Sequence, residues 1–131
     1  MRTLTDIDAA WPYSCEITDS SPQLATEELA GRLGVTARSV LQYEVMECMD
    51  PGGRSAMLAR TWWRGARRRH VAVTAELDTV PLELEQAHAL GLLVDTPVFR
   101  VVRTRLDVHG TPVETADLLL PMDRWRIRLS G

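Results

Sequence analysis

Charged side chains that alternate along two extended runs are the residues best suited to bind a ligand or move a proton. Arg103 and Arg105 precede a tight turn at 109–110, and Glu114 follows it. With that turn as the loop of a β-hairpin, Arg105 pairs directly with Glu114, and Arg103 opposes Ala116. Guanidinium groups beside a carboxylate can line a pocket for a ligand with carboxylate or hydroxyl groups. An exposed ion pair worth under about 1 kcal/mol is the alternative interpretation.

A second predicted hairpin, built around the turn at 50–53, carries a comparable polar set. Strand alternation places these side chains on one face, because residues two apart point the same way. An aromatic ring beside opposite charges suits a pocket, since buried charges need partners. Structural packing with exposed charged ends is the alternative. The set is Tyr43, Glu47, Arg60 and Trp62, with predicted cross-strand pairs Glu47 with Ala56, Tyr43 with Arg60 and Leu41 with Trp62.

Asp117 is a third acidic candidate in the same run as Glu114. The two are three residues apart, so a regular strand points them to opposite faces, and only a β-bulge would bring them to one site. If the chain is an enzyme, Glu47, Glu114 and Asp117 are the candidate general acids or bases. The sequence has no phosphate-binding loop, nucleophile elbow or zinc pattern, so no metal or cofactor is expected.

The basic segment 64–70 contains four arginines and a histidine. It can contact nucleic acid or an anionic ligand, or it can be a solvated loop. The net charge of −3 argues against sequence-independent binding to nucleic acid. Cys15 and Cys48 lack a metal-ligand spacing, and we expect two buried free thiols in a reducing compartment rather than a disulfide.

Length and composition predict one globular domain. The chain has 131 residues, of which 45% are hydrophobic and 25% charged. No apolar run approaches the roughly 20 residues that span a bilayer. Acidic residues stand where a signal peptide needs an apolar core, so we expect a cytoplasmic protein.

Helices and strands alternate in a regular order. Ser21-Pro22 predicts a helix start with Ser21 as N-cap, and Gly34 its end. A second helix is predicted over 79–91, capped by Asp78 or Thr79. Strands are expected over 13–18, 40–49, 55–63, 70–77 and the two arms of 98–120. A closing edge strand is expected over 124–129, with Trp125, Ile127 and Leu129 in the core and Arg124, Arg126 and Arg128 in water.

An internal repeat connects these elements. The two helices end alike, in Ala30-x-x-Leu33-Gly34 and Ala87-x-x-Leu90-Gly91. With one extra residue in the second copy, the strands and turns also coincide, which gives half-repeats at about 21–63 and 79–121. Two helix–hairpin units predict an α+β domain, with one antiparallel sheet and helices on one face. A ligand site is expected where the halves meet.

Four segments of the second half carry a family resemblance: 85–92, 95–106, 110–114 and 120–125. They resemble the C-terminal half of a UTRA domain, the effector-binding module of GntR-type (HutC-class) transcription regulators, which shares the fold of chorismate lyase. The similarity is strong over 80–129 and fainter over 13–63. It implies a six-stranded antiparallel sheet, a homodimer and a small-molecule pocket formed by both halves. Glu114 matches a position that contacts ligand in UTRA domains.

Three departures from the family pattern accompany the resemblance. The chain lacks the winged-helix domain that normally precedes a UTRA domain, so we expect no nucleic-acid binding by this chain alone. The segment between the halves is cut to 64–70. Val45 and Glu47 stand where the first copy would carry the counterparts of Arg103 and Arg105, which argues against the phosphosugar ligands usual in the family.

Three functions remain open at this point. The leading hypothesis is an effector-binding domain of a regulator, with a carboxylated or polyhydroxylated ligand bound by both hairpins. An alternative is a stand-alone enzyme of the chorismate lyase-like fold, acting as lyase or cyclase on an acidic biosynthetic intermediate. The third is a purely structural dimerisation module.

Overall fold

A six-stranded antiparallel sheet forms the centre of the computed structural model, which describes residues 1–129. Its strand order is β2-β3-β4-β7-β6-β5, and β1 and β8 form a separate two-stranded parallel ribbon. No helix among the described residues is long and apolar enough to cross a membrane. The elements are β1 (Arg2–Leu4), β2 (Cys15–Leu24), α1 (Glu27–Leu33), β3 (Val40–Met49), β4 (Ser55–Trp63), β5 (Ala72–Pro81), α2 (Leu84–Leu90), β6 (Pro97–Leu106), β7 (Pro112–Pro121) and β8 (Trp125–Ile127).

The sheet is built from two strand–helix–strand–strand units at a constant spacing. β2 begins at residue 15 and β5 at residue 72, which is 57 positions later, and the same spacing separates α1 from α2, β3 from β6 and β4 from β7. Gly34 and Gly91 end the helices in the left-handed conformation, and Arg38 and Asp95 share that conformation before the next strand. The predicted extra residue in the second copy is therefore wrong.

Both helices begin later than predicted, because the preceding strands are longer. Ser21 and Pro22 lie within β2, where pairing with β3 continues to Leu24. Pro22 has no amide hydrogen to donate, and it is tolerated because β2 is an edge strand, where one side of the strand needs no hydrogen-bond donor. Thr26 is the N-cap of α1, and its side chain accepts a hydrogen bond from the amide of Leu29 at 3.2 Å. In the second unit, β5 likewise runs through Pro81 and Glu83 caps α2.

The two hairpins differ in how well their pairing was predicted. In the second, Arg105 pairs with Glu114 and Arg103 with Ala116, as expected. In the first, Tyr43 pairs with Trp62 and Glu47 with Leu58, two positions from the expected partners. Both hairpins have a five-residue turn and an equivalent β-bulge, after Cys48 and after Arg105. The expected pairs took Pro51-Gly52 as the tip of the first turn, whereas the observed register centres that turn on Gly52-Gly53. A shift of two positions leaves every side chain on its predicted face.

The C-terminal strand is not an edge of the main sheet. β8 pairs in parallel with β1. Trp125 is buried as predicted, but Leu129 is 44% exposed. The prediction that Arg124 is solvent-exposed is also wrong. Its guanidinium donates to the carbonyls of Ser55 and Leu90, each at 2.9 Å, and the second carbonyl lies at the end of α2, where it has no intrahelical partner.

Different segments cover the two faces of the sheet. The helix face carries α1 and α2, and its core includes Leu41, Leu58 and Val98. The opposite face is covered by β8 and by residues 1–13, which we call the strap, so this is the strap face. Its core joins Val101, Leu118 and Trp125 to apolar strap residues. The predicted fold class, an α+β domain with helices on one face of an antiparallel sheet, is confirmed.

Candidate ligand-binding sites

The predicted binding residues lie on opposite faces of the sheet. Arg60 is the cross-strand partner of Asp117, whereas Glu114 lies three residues earlier in β7 and points the other way. The two hairpins therefore cannot line one pocket with these side chains, and the expectation of a shared site is corrected. The helix face holds Tyr43, Glu47, Arg60 and Trp62, and the strap face holds Arg103, Arg105 and Glu114.

Glu114 is the centre of an ion cluster on the strap face. Its carboxylate accepts hydrogen bonds from Arg105 Nη1 and Arg67 Nη1, both at 3.1 Å, and lies 3.6 Å from Arg103 Nη2. Glu114 is only 8% exposed. This burial excludes the weak exposed ion pair that was the alternative interpretation. A buried carboxylate of this kind is stable only because several donors surround it.

Asp8 ties the strap to the same cluster. Its carboxylate accepts from Arg105 Nε at 3.0 Å and lies 2.8 Å from His70 Nε2. Burial alone would raise the pKa of Asp8, but the hydrogen bonds from His70 and Arg105 outweigh it and lower that pKa. Arg103 Nη1 also approaches the Ile7 carbonyl at 3.4 Å. Sequence reasoning missed Asp8, because no local pattern indicates where the strap lies.

A cavity of about 420 Å³ lies between the strap and the sheet. Its inner wall is formed by Met57, Arg103, Leu118 and Trp125. Burial lowers the pKa of Arg103, and the nearby Arg105 acts in the same direction. Arg103 Nε is buried and has no hydrogen-bond partner among the residues that the structure describes. A buried guanidinium with an unsatisfied donor at the wall of a largely apolar cavity suits an anionic or hydroxylated ligand.

The basic segment 64–70 is partly neutralised by carboxylates of the domain itself. Arg67 stacks over the Trp63 ring at 3.8 Å, and its guanidinium also lies 3.6 Å from Glu44. Arg68 lies 3.9 Å from Asp107. Arg67 therefore belongs to the strap-face cluster, and this segment is more than a solvated loop.

The helix face carries a second cavity, of about 310 Å³, which includes three of the four predicted residues there. Tyr43, Glu47 and Arg60 line it, and Arg60 Nε donates to Tyr43 Oη at 3.0 Å. The Arg60 guanidinium also lies 5.1 Å from the Trp62 ring. Trp62 itself is 3% exposed and donates to Gln23, so it supports Arg60 from the core without lining the cavity.

Asp117 is buried on the helix face and is engaged by α1. Arg32 Nη1 donates to its carboxylate at 2.7 Å. Pairing is regular from Glu114 to Asp117, so no bulge redirects either residue, and the predicted opposition of the two is confirmed. The three carboxylates considered for catalysis therefore divide, with Glu47 and Asp117 on the helix face and Glu114 on the strap face. The partner role of Arg32 was not predicted, because it depends on how α1 packs across the sheet.

The two cysteines are free thiols, as predicted, but only Cys48 is buried. Cys15 is exposed on edge strand β2, and the two sulfur atoms are 3.9 Å apart. Burial, with smaller contributions from Cys15, raises the pKa of Cys48 to about 12.

Comparison with known proteins identifies the fold. No protein-family model and no curated protein sequence matches the chain significantly. Solved structures do match. The C-terminal domain of Yurk from Bacillus subtilis superposes with a TM-score of 0.84 at 11% identity, covering 100% of both chains.

Two further structures belong to candidate GntR-family transcriptional regulators. One matches with a TM-score of 0.79 at 23% identity, covering 90% of this chain and 58% of its own, so our chain spans little more than half of that regulator. The other is a ligand-binding domain from Bordetella bronchiseptica, with a TM-score of 0.77, 17% identity and coverage of 90% and 91%. The chain therefore has the fold of the C-terminal ligand-binding domains of GntR-family regulators, as its resemblance to a UTRA domain predicted.

Proposed function

We propose that this chain is a single effector-binding domain of the HutC-class regulator type, and that the cavity beneath the strap is its ligand site. The observation that carries the proposal is Arg103, a buried guanidinium at the cavity wall whose Nε has no partner among residues 1–129. A buried unsatisfied donor costs about 1–3 kcal/mol. A bound ligand that accepts from it would recover that free energy.

The charges around Arg103 indicate the class of ligand. Arg103 lines the cavity, and Arg105 and Glu114 belong to the ion cluster that adjoins it, with Glu114 3.6 Å from Arg103. Guanidinium groups recognise carboxylates in a bidentate manner, while a carboxylate such as Glu114 accepts from hydroxyl groups. A carboxylated or polyhydroxylated molecule satisfies both, and the apolar side chains of Met57 and Leu118 would cover its carbon skeleton.

The strap offers a way for such a ligand to act on the rest of the protein. Arg105 is shared between Glu114 and Asp8, the residue that ties down the strap. A ligand that engages Arg103 or Arg105 would change how firmly Arg105 holds Asp8. The ligand would then shift the balance between closed and open strap by its differential affinity for the two states.

A homodimer in the cytoplasm is part of the proposal. Edge strand β2 and its neighbour expose Ile17, Leu24 and Val40, each more than half accessible. Apolar side chains along an unpaired strand edge favour pairing with a second chain. The partners we propose are thus a second copy and a small molecule, with no direct contact between this chain and nucleic acid.

A thermal-shift screen against organic acids and sugar acids tests the proposal. We expect at least one compound to raise the melting temperature of the wild-type chain, and Arg103→Gln to abolish that shift. Glu16→Gln, an exposed carboxylate of β2 outside the cavity, is the matched control and should keep the full shift. Absence of any stabilising compound, or an unchanged shift in Arg103→Gln, would reject the proposed site. Chemical conversion of a stabilising compound would instead support the enzymatic alternative.

A further inference from the structure

A pseudo-twofold axis relates the two halves of the sheet and passes between Arg60 and Asp117. These residues are 57 positions apart, which is the spacing of the repeat, and they are also direct cross-strand partners in β4 and β7. A residue that pairs with its own repeat counterpart must lie at the axis. The helix-face cavities on the two sides can therefore be compared position by position.

The cavity of the second half, about 380 Å³, has both of its arginines paired with carboxylates. Arg32 of α1 donates to Asp117 at 2.7 Å and to Glu28 at 2.8 Å. Arg100 of β6 makes a bidentate ion pair with Asp78 of β5, at 2.6 and 2.9 Å. The axial charge on this side, Asp117, is thus neutralised by a side chain from the helix.

The cavity of the first half lacks the corresponding neutralising group. Ala89 of α2 stands 57 positions after Arg32, and it lines this cavity as Arg32 lines the other. Arg60, the counterpart of Asp117, therefore receives no carboxylate from the helix. Within residues 1–129 it makes no ion pair; its Nε donates to Tyr43 Oη, and its guanidinium lies over the Tyr43 and Trp62 rings. Its two terminal nitrogens make no hydrogen bond to the described residues, and Arg60 lines the same cavity as Ala89.

The remaining lining of this cavity combines acidic and apolar side chains, and the sheet and α2 contribute both kinds. Val45, Leu58 and Ala89 are the apolar residues. In the described part of the chain, no three acidic side chains converge as ligands of a metal ion would, which disfavours a bare cation. A protonated amine needs only one or two carboxylates. The acidic residues are Asp19, Glu47, Glu83 and Glu85.

We propose that this cavity binds a small zwitterion of the ω-amino acid class. Its carboxylate pairs with the Arg60 guanidinium. It takes the position that an acidic side chain at residue 89 would have if it contacted Arg60 as Arg32 contacts Asp117. Its ammonium group faces Glu47 and Asp19, which lie on the neighbouring strands β3 and β2. Guanidinium–carboxylate recognition supplies the orientation, and the opposite charges at the two ends favour a zwitterion over simple acids and simple amines. The site lies on the helix face and shares no residue with the cavity beneath the strap.

An NMR titration of the whole chain tests this inference. The probes are 4-aminobutanoate, 5-aminopentanoate and 6-aminohexanoate, with butanoate and butylamine as compounds that carry only one charge. We expect at least one ω-amino acid to shift the Ala89 amide and the Trp62 indole resonance to saturation. Butanoate and butylamine should bind at least about tenfold more weakly, because each lacks one charged contact.

Two variants separate binding from folding. Arg60→Gln should weaken binding about tenfold or more while its melting curve stays cooperative. Ala89→Glu introduces the missing carboxylate, so it should raise the melting temperature and abolish binding of the same probe. Glu27→Gln, an exposed carboxylate of α1 outside this cavity, is the control and should bind as the wild type does. The inference is overturned if no ω-amino acid binds saturably, if butylamine binds as tightly as the zwitterion, or if Ala89→Glu leaves binding unchanged.

Discussion

Replacing Asp8 by asparagine should loosen the strap without unfolding the sheet. The amide would keep the shape of the side chain but lose the charge that accepts from Arg105 and faces His70. Hydrogen bonds to a charged group contribute about 1.5–3 kcal/mol each when well buried. The Asp8 side chain is 34% exposed, so solvent screens these contacts. We therefore expect a loss of about 1–2 kcal/mol in strap closure, which raises the open fraction roughly 5- to 30-fold.

Hydrogen exchange measured by NMR gives the assay, because two protons report directly on the strap. The Trp11 indole donates to the Met49 carbonyl at 2.8 Å, and the Arg128 amide donates to the Leu4 carbonyl at 2.9 Å. Both should exchange faster in Asp8→Asn, while amides of the central pair β4–β7 should keep their wild-type rates. If the exchange rates of the two strap protons rise less than about twofold in Asp8→Asn, the argument that Asp8 holds the strap is refuted.

The pH dependence of the same exchange follows from the lowered pKa of Asp8. A carboxyl group whose pKa is lower in the folded state stabilises that state above its unfolded pKa. This contribution is lost as the pH falls from about the ordinary 3.8 through the folded value. Strap opening in the wild type should therefore increase in acid below about pH 4, whereas opening in Asp8→Asn should depend less on pH. Equal pH profiles for the two proteins would contradict this assignment.

Three further changes have definite expected outcomes. Arg32→Met leaves the buried Asp117 without its donor, so it should cost about 3 kcal/mol of unfolding free energy and lower the melting temperature by about 10 °C. Adding Asp117→Asn to Arg32→Met should recover part of that loss. A change in melting temperature below about 2 °C would contradict the ion-pair argument. Iodoacetamide should modify Cys15 in the native protein and Cys48 only after denaturation, as read by mass spectrometry, because the pKa of Cys48 is raised to about 12 by burial. Ile17→Lys should lower the mass measured by light scattering from dimer to monomer without lowering the melting temperature, and a wild-type monomer would refute the proposed edge contact.

Local sequence signals predicted what depends on neighbouring residues. The turn at 109–110 fixed the register of the second hairpin, so the pairing of Arg105 with Glu114 was correct. The N-cap signal of Ser21-Pro22 is also local, but hydrogen bonding of β2 to β3 overrides it and carries the strand to Leu24. Helix propensity and capping are weak compared with a continuous ladder of backbone hydrogen bonds.

The division of the candidate site between two faces could not be predicted, because it depends on long-range pairing. The register of β4 against β7 places Arg60 opposite Asp117, and no turn joins these strands to set that register. Which side chains of one strand share a face was predictable, but whether the two hairpins turn their polar side chains to the same face of the sheet was not. The strap contact through Asp8 is equally remote in sequence, since it joins residues 97 positions apart.

The dissociation constant of the best compound from the thermal-shift screen, measured by calorimetry for the wild type and for Arg103→Gln, tests the central claim most directly. Loss of one buried charged contact predicts binding that is weaker by about 10- to 100-fold in Arg103→Gln. Arg60→Gln, on the opposite face, should bind the same compound as the wild type does. An unchanged dissociation constant in Arg103→Gln would contradict a ligand site beneath the strap.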